Sequence, residues 1–162
     1  MSATVAQSDE LYDLYRELIL DHARSPRHFG RLDDATHTAE GINPLCGDKL
    51  KVYFSVDKDQ RITAAGFEGS GCAISVASAS LLTDTVVGLP VEEAEAIFVT
   101  ITNRLTRNDS EAERIVDVEE PFAKLRALDG VREFPSRVKC ATLAWHALHS
   151  ALSNETAPAT TE

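Results

Sequence analysis

Three cysteines, Cys46, Cys72 and Cys140, and one aspartate, Asp48, are the residues of this chain whose types and settings could do chemistry. Thiolate sulfur binds metal and attacks electrophiles, and a carboxylate oxygen can share the same ion. In Cys46–Gly47–Asp48 two donors flank a glycine, which permits the sharp turn that lets both face one ion. Cys72 follows Gly69–Ser70–Gly71 and opens a helix-like stretch, and Cys140 follows Pro135–Ser136–Arg137–Val138–Lys139 near the start of another. A helix N-terminus favours thiolate over thiol, and Arg137 and Lys139 add positive charge close to Cys140. All three cysteines are therefore expected in loops or at helix entrances, none inside an element.

Three thiolates and one carboxylate would complete a tetrahedral zinc site. The ligands would carry four negative charges against the two positive charges of the ion, with Arg137 and Lys139 to offset the remainder. Asp48 would be the easiest ligand to exchange, because its oxygen is harder than sulfur. The competing reading is three unrelated cysteines, each packed as a small hydrophobe. An odd number of cysteines, spread widely, does not suggest a disulfide framework.

The elements that must position these residues read as one domain over residues 9–153, between a flexible arm at 1–8 and a disordered tail at 154–162. A first helix over 9–24 carries Leu11, Leu14, Tyr15, Leu18 and His22 on one face, and Pro26 stops it. Leu50, Val52, Phe54 and Val56 alternate with polar neighbours, the period of a half-buried strand. A polar turn at 57–60 and a second strand at 61–68 make this a hairpin, with a weaker strand at 35–40. Helices are expected over 72–87, where Ala and Ser allow close packing, and over 90–105 and 139–153, with a short one at 121–128 and a loop at 106–120. A small antiparallel sheet of about three strands, followed by helices that pack on it, is an α+β order.

The net charge of −10 argues against nucleic acid and against anionic membrane surfaces. No apolar run is long enough to span a bilayer, and the polar start lacks the order of a signal peptide, so a cytoplasmic protein is expected. His22 is expected packed in the core, and His146 and His149 at the surface or its boundary, off the Cys140 face. Gly69 and Gly71 lack the lysine of a phosphate loop and read as the turn that positions Cys72. The acidic stretch from Asp109 to Glu120 reads as solvated surface.

Five stretches together resemble the U-type iron–sulfur cluster assembly family, related to the NifU N-terminal region and to IscU. They are Leu11–Tyr12–Asp13–Leu14–Tyr15 continuing to Asp21–His22 and Pro26–Arg27, Asn43 to Asp48, Gly66 to Ser75, Ala77 to Ser80, and Arg137 to Trp145. The IscU scaffold type has a histidine before its third cysteine, where this chain has Lys139, and residues of roughly 87–118 fit an insertion typical of the SufU type. The resemblance implies a SufU/IscU-like fold and zinc held by Cys46, Asp48, Cys72 and Cys140. It implies a SufS-type pyridoxal-phosphate cysteine desulfurase as partner, one of whose histidines displaces Cys46 from zinc. Cys46 then accepts the persulfide sulfur, Arg137 supports electrostatically, and the sulfur passes to the SUF cluster scaffold. The alternative within the family is a scaffold that assembles a transient iron–sulfur cluster on the same ligands.

Overall fold

The computed structural model describes residues 16–44, 47–106, 125, 127–128, 131, 134–153 and 159–160. The expected arm, the first part of the first helix, the acidic stretch and most of the short helix at 121–128 lie outside the described residues, as does Cys46. Helix α1 is described over residues 16–24. Strands β1 (His37–Asn43), β2 (Asp48–Val56) and β3 (Ile62–Ser70) follow, then helices α2 (Ala73–Val86), α3 (Val91–Thr106) and α4 (Pro135–Leu152), and a two-residue strand β4 (Ala159–Thr160).

The sheet order is β3-β2-β1-β4. β1, β2 and β3 pair antiparallel, and β4 adds to β1 in parallel. Leu50, Val52 and Phe54 of β2 are fully buried, as the alternation predicts, and they face the helices with Ile62 and Phe67 of β3. α4 lies across β1 and β2, α2 packs on β3 and α4, and α3 packs on α4. This is the expected α+β arrangement, and among the described residues no helix is long and apolar enough to cross a membrane.

Three elements differ from the sequence reading. β1 is longer than the weak strand expected at 35–40 and runs to Asn43. Its inward residues are Ala39, Gly41 and Asn43, too small or too polar to show a hydrophobic alternation. The reason is the closeness of α4: a Cβ on Gly41 would come within 3.1 Å of Leu143 Cδ1 and 3.3 Å of Ala147 Cβ. α4 begins a turn earlier than expected, at Pro135, because proline suits the first helical position, where no N–H is needed. In the tail expected to be disordered, Ala159 and Thr160 pair with Gly41 and Ile42. That pairing uses backbone groups of the β1 edge, so a composition of Thr and Ala gives no sign of it.

α2 is buried on nearly every side, and its serines serve as links rather than mere small residues. Ser78 Oγ donates to the Ala141 carbonyl (2.5 Å) and accepts from Trp145 Nε1 (3.2 Å), tying α2 to α4. Ser80 Oγ bonds His22 Nδ1 (2.6 Å) and accepts from the Arg27 N–H (2.8 Å), tying α2 to α1 and the loop after it. His22 is thus the packed, hydrogen-bonded histidine its place on α1 predicts.

Candidate metal centre

The site is built at one end of the sheet, where two strands present polar residues to the helical layer. Asn43 and Asp48 are register partners at the turn end of the β1–β2 hairpin. Asn43 continues the inward series of Ala39 and Gly41, and Asp48 that of Leu50 and Val52. Both are almost fully buried. Asp48 is therefore the first residue of β2. Between them the chain turns through Gly47, whose φ of +72° lies in the left-handed region that glycine adopts without strain.

The N-terminal end of α2 and the second turn of α4 close over this mouth. Cys72 is the N-cap of α2, as expected, and is half-buried. Its N–H donates to Asp48 Oδ1 (2.9 Å), and its Sγ lies 3.9 Å from Asp48 Oδ2. Cys140 is fully buried. Asn43 Nδ2 donates to its Sγ (3.6 Å), and the thiol can donate to the Ser136 carbonyl at the same distance. Because α4 starts at Pro135, Cys140 sits inside the helix and not at its entrance, so it lies beyond the free N–H groups of the first turn. The Asn43 amide and the Arg137 guanidinium interact with it there.

The ligand atoms of Asp48, Cys72 and Cys140 all lie within 4.8 Å of one another. Tetrahedral zinc with sulfur and oxygen ligands needs edges of about 3.4–3.8 Å, so the donors fit an ion after a small contraction. Two soft thiols and a carboxylate are also the right donor set for zinc. Three of the four expected ligands are thus brought together, and the fourth, Cys46, lies outside the described residues.

The electrostatics suit thiolates. Burial pushes the Cys72 thiol up, but hydrogen bonding with Ser75, first through its N–H, and with Cys140 brings it below its ordinary value despite Asp48 beside it. The exposed Arg137 guanidinium faces the sulfurs of Cys72 and then Cys140, and their charge holds it protonated more firmly still. Arg137 and Cys72 line a mostly apolar groove of about 630 Å³ with Ile19, Leu20, Ile74 and Phe134. A partner can therefore approach Cys72 and Arg137 from this side, while Cys140 is sealed.

Sequence reasoning missed two members of the site, Asn43 and Ser75. Ser75 is fully buried, and its hydroxyl donates to Asp48 Oδ2 at 2.6 Å. The sequence offers only their spacing, which by itself assigns no role: Ser75 stands three residues after Cys72, one helical turn on, and Asn43 opens the segment that carries Cys46 and Asp48. His28 and His37 make no contact with the three described donors among the described residues.

A small antiparallel sheet covered on one face by helices, with a thiol and carboxylate centre at its end, defines the class. Residues 14–159 match the NifU-like N terminal domain, and the chain belongs to that family. It is 37% identical over 142 residues to the zinc-dependent sulfurtransferase SufU of Bacillus subtilis, a match covering 88% of this chain and 91% of the relative. It is 36% identical over 143 residues to the iron–sulfur cluster assembly scaffold protein IscU of Streptococcus pyogenes, covering 88% and 85%. Among solved structures, the SufU of Fervidobacterium islandicum superposes with a TM-score of 0.71 at 30% identity, covering 84% of this chain and 94% of that one. A NifU-like N-terminal domain from Brucella abortus, with a TM-score of 0.76 at 24% identity, shares the fold.

Proposed function

We propose that this protein is a zinc-dependent sulfurtransferase of iron–sulfur cluster assembly, which takes sulfur from a SufS-type cysteine desulfurase on Cys46. The observation that carries the proposal is the gathering of the Asp48, Cys72 and Cys140 donors within 4.8 Å. Cys46 is two residues from Asp48, so chain connectivity keeps their Cα atoms within about 7 Å, close enough for Cys46 to supply the fourth ligand. Bound there, zinc would hold the donors deprotonated and mask the Cys46 thiolate until the partner arrives.

The transfer itself is thiolate attack on a persulfide. Cys46 Sγ, released as thiolate, forms a bond to the outer sulfur of the desulfurase persulfide. The sulfur–sulfur bond of that persulfide breaks, and the desulfurase cysteine leaves as thiolate. Cys46 then carries the persulfide to the SUF cluster scaffold, the next acceptor. Arg137, exposed and facing the sulfurs, offsets the negative charge that gathers as two thiolate-bearing proteins meet. Pyridoxal phosphate belongs to the partner. Free thiols of this kind belong in a reducing compartment, which fits the cytoplasm.

The test is labelling by a desulfurase supplied with radioactive cysteine sulfur. The wild-type chain, purified with about one zinc per chain, should take up label and stimulate turnover; Cys46→Ala should do neither. Undiminished stimulation by Cys46→Ala defeats the acceptor assignment. A second reading, a scaffold that builds a transient cluster on the same ligands, is favoured by relatives named IscU, among them those of Streptococcus pyogenes and Thermotoga maritima. It predicts a coloured, oxygen-sensitive species after anaerobic reconstitution with iron and sulfide.

A further inference from the structure

We infer that Ser75 is the positioning residue of this centre: its hydroxyl fixes the Asp48 carboxylate with Oδ2 turned to the Cys72 sulfur. The inference rests on the reading of Asp48 as a ligand and adds a residue that acts through it.

Cys72 is the N-cap of α2. Asp48, from a different element, grips this helix start. Its Oδ1 accepts from the Cys72 N–H (2.9 Å) and its Oδ2 accepts from Ser75 Oγ (2.6 Å). The carboxylate is held at both oxygens by two groups one helical turn apart, which fixes its rotation. Removal of either donor frees that rotation.

Ser75 Oγ touches all three described ligand residues, Cys140 through its backbone. Besides Asp48 Oδ2, its Oγ lies 3.6 Å from Cys72 Sγ and 3.4 Å from the Cys140 carbonyl oxygen. A hydroxyl has one proton to give, and the shortest contact, to a carboxylate, takes it. The lone pairs left on Ser75 Oγ can accept from the Cys72 thiol. Each carboxylate oxygen has two acceptor sites, so Oδ2 can keep Ser75 on one and offer the other to an ion. Complete burial of Ser75 leaves no water to replace its hydroxyl if it is removed. Hydrogen-bond partners that orient a metal ligand typically matter about 10–100-fold in metal affinity.

The experiment needs no desulfurase. Zinc affinity is measured by chelator competition, and the visible spectrum of the cobalt-loaded protein reports the ligand geometry, for wild type, Ser75→Ala, Asp48→Ala and the double variant. Ser75→Ala should weaken zinc binding about tenfold or more and move the cobalt bands. In the Asp48→Ala background the Ser75 change should have little further effect, because its role runs through that carboxylate. A Ser75→Ala protein with wild-type affinity and spectrum, beside an impaired Asp48→Ala, overturns the inference alone. An equal loss from Ser75→Ala with and without Asp48 also overturns it, since the role would then be packing. Unchanged affinity in Asp48→Ala overturns the ligand reading and this inference with it. The sulfur-labelling result on Cys46 bears only on the proposed function.

Discussion

Asn43 and Asp48 stand where the alternation of β1 and β2 calls for apolar side chains, and the end of the sheet becomes a binding site because of them. Buried polar atoms need partners, and these two find theirs in Cys140, Cys72 and Ser75. Asn43 Oδ1 has no partner among the described residues. A buried unpaired oxygen works against stability by about 1–3 kcal/mol, whereas the Nδ2 bond to Cys140 helps. Asn43→Leu removes both. The metal-free variant should then unfold within about 1 kcal/mol of wild type in urea, or be the more stable, while its zinc affinity falls. A large loss of metal-free stability would show that the amide works mainly as scaffold. Asp48, Cys72 and Cys140, which the structure gathers, were legible as candidate donors from residue type and setting. Asn43 and Ser75 were not, because asparagine and serine near a cysteine are common, and only proximity gives them a role.

At the scale of elements, α2 is held by hydroxyls as well as by its buried Leu81, Leu82 and Val86. Ser78 joins the Ala141 carbonyl to the Trp145 indole, and all three residues are buried. Ser78→Ala leaves Trp145 Nε1 without an acceptor and should lower stability by about 1–3 kcal/mol, read as a shift of the urea midpoint with unchanged slope. The α3–α4 contact carries a different signature. Phe98 stacks on His149 (centroids 4.8 Å apart) and meets His146 edge-on, and His149 Nδ1 lies 2.7 Å from Glu95 Oε2. Burial, and then the charge of His149, push the His146 imidazole below its ordinary value of 6.5. The unfolded chain therefore binds more protons than the folded one as pH falls through that value. Nothing is lost above it, and stability declines below it until the folded imidazole also titrates. His146→Gln should flatten this decline, seen by comparing urea midpoints at about pH 7.5 and 5.5. A slope equal to that of wild type would assign the decline to other groups.

For the whole molecule, the candidate centre ties the sheet to two helices that are far apart in the chain. Asp48 opens β2, Cys72 caps α2 and Cys140 lies within α4. An ion bound there stabilises only the folded state, by about 2.7 kcal/mol when free metal is a hundredfold above its dissociation constant. Zinc should therefore raise the melting temperature, a chelator should lower it, and Cys140→Ser should abolish most of that difference. An equal zinc shift in Cys140→Ser would remove Cys140 from the ligand set. The chain is acidic overall, yet the groove beside Cys72 carries Arg16 and Arg137, so the positive charge stands at the open side of the centre.

The sequence by itself determined the β2–β3 hairpin, the helices α2, α3 and α4 after it, and Asp48, Cys72 and Cys140 as candidate ligands. Those follow from local periodicity and residue chemistry, which need no partner elsewhere in the chain. Only the tertiary structure decided that β1 reaches Asn43, that a two-residue strand joins its edge, and that Cys140 lies inside a helix instead of at its start. It also decided which polar residues serve the centre. Asn43 meets Cys140 across 97 positions and Ser75 meets Asp48 across 27. Such pairs exist only once helices and sheet have packed, so no local pattern could have announced them.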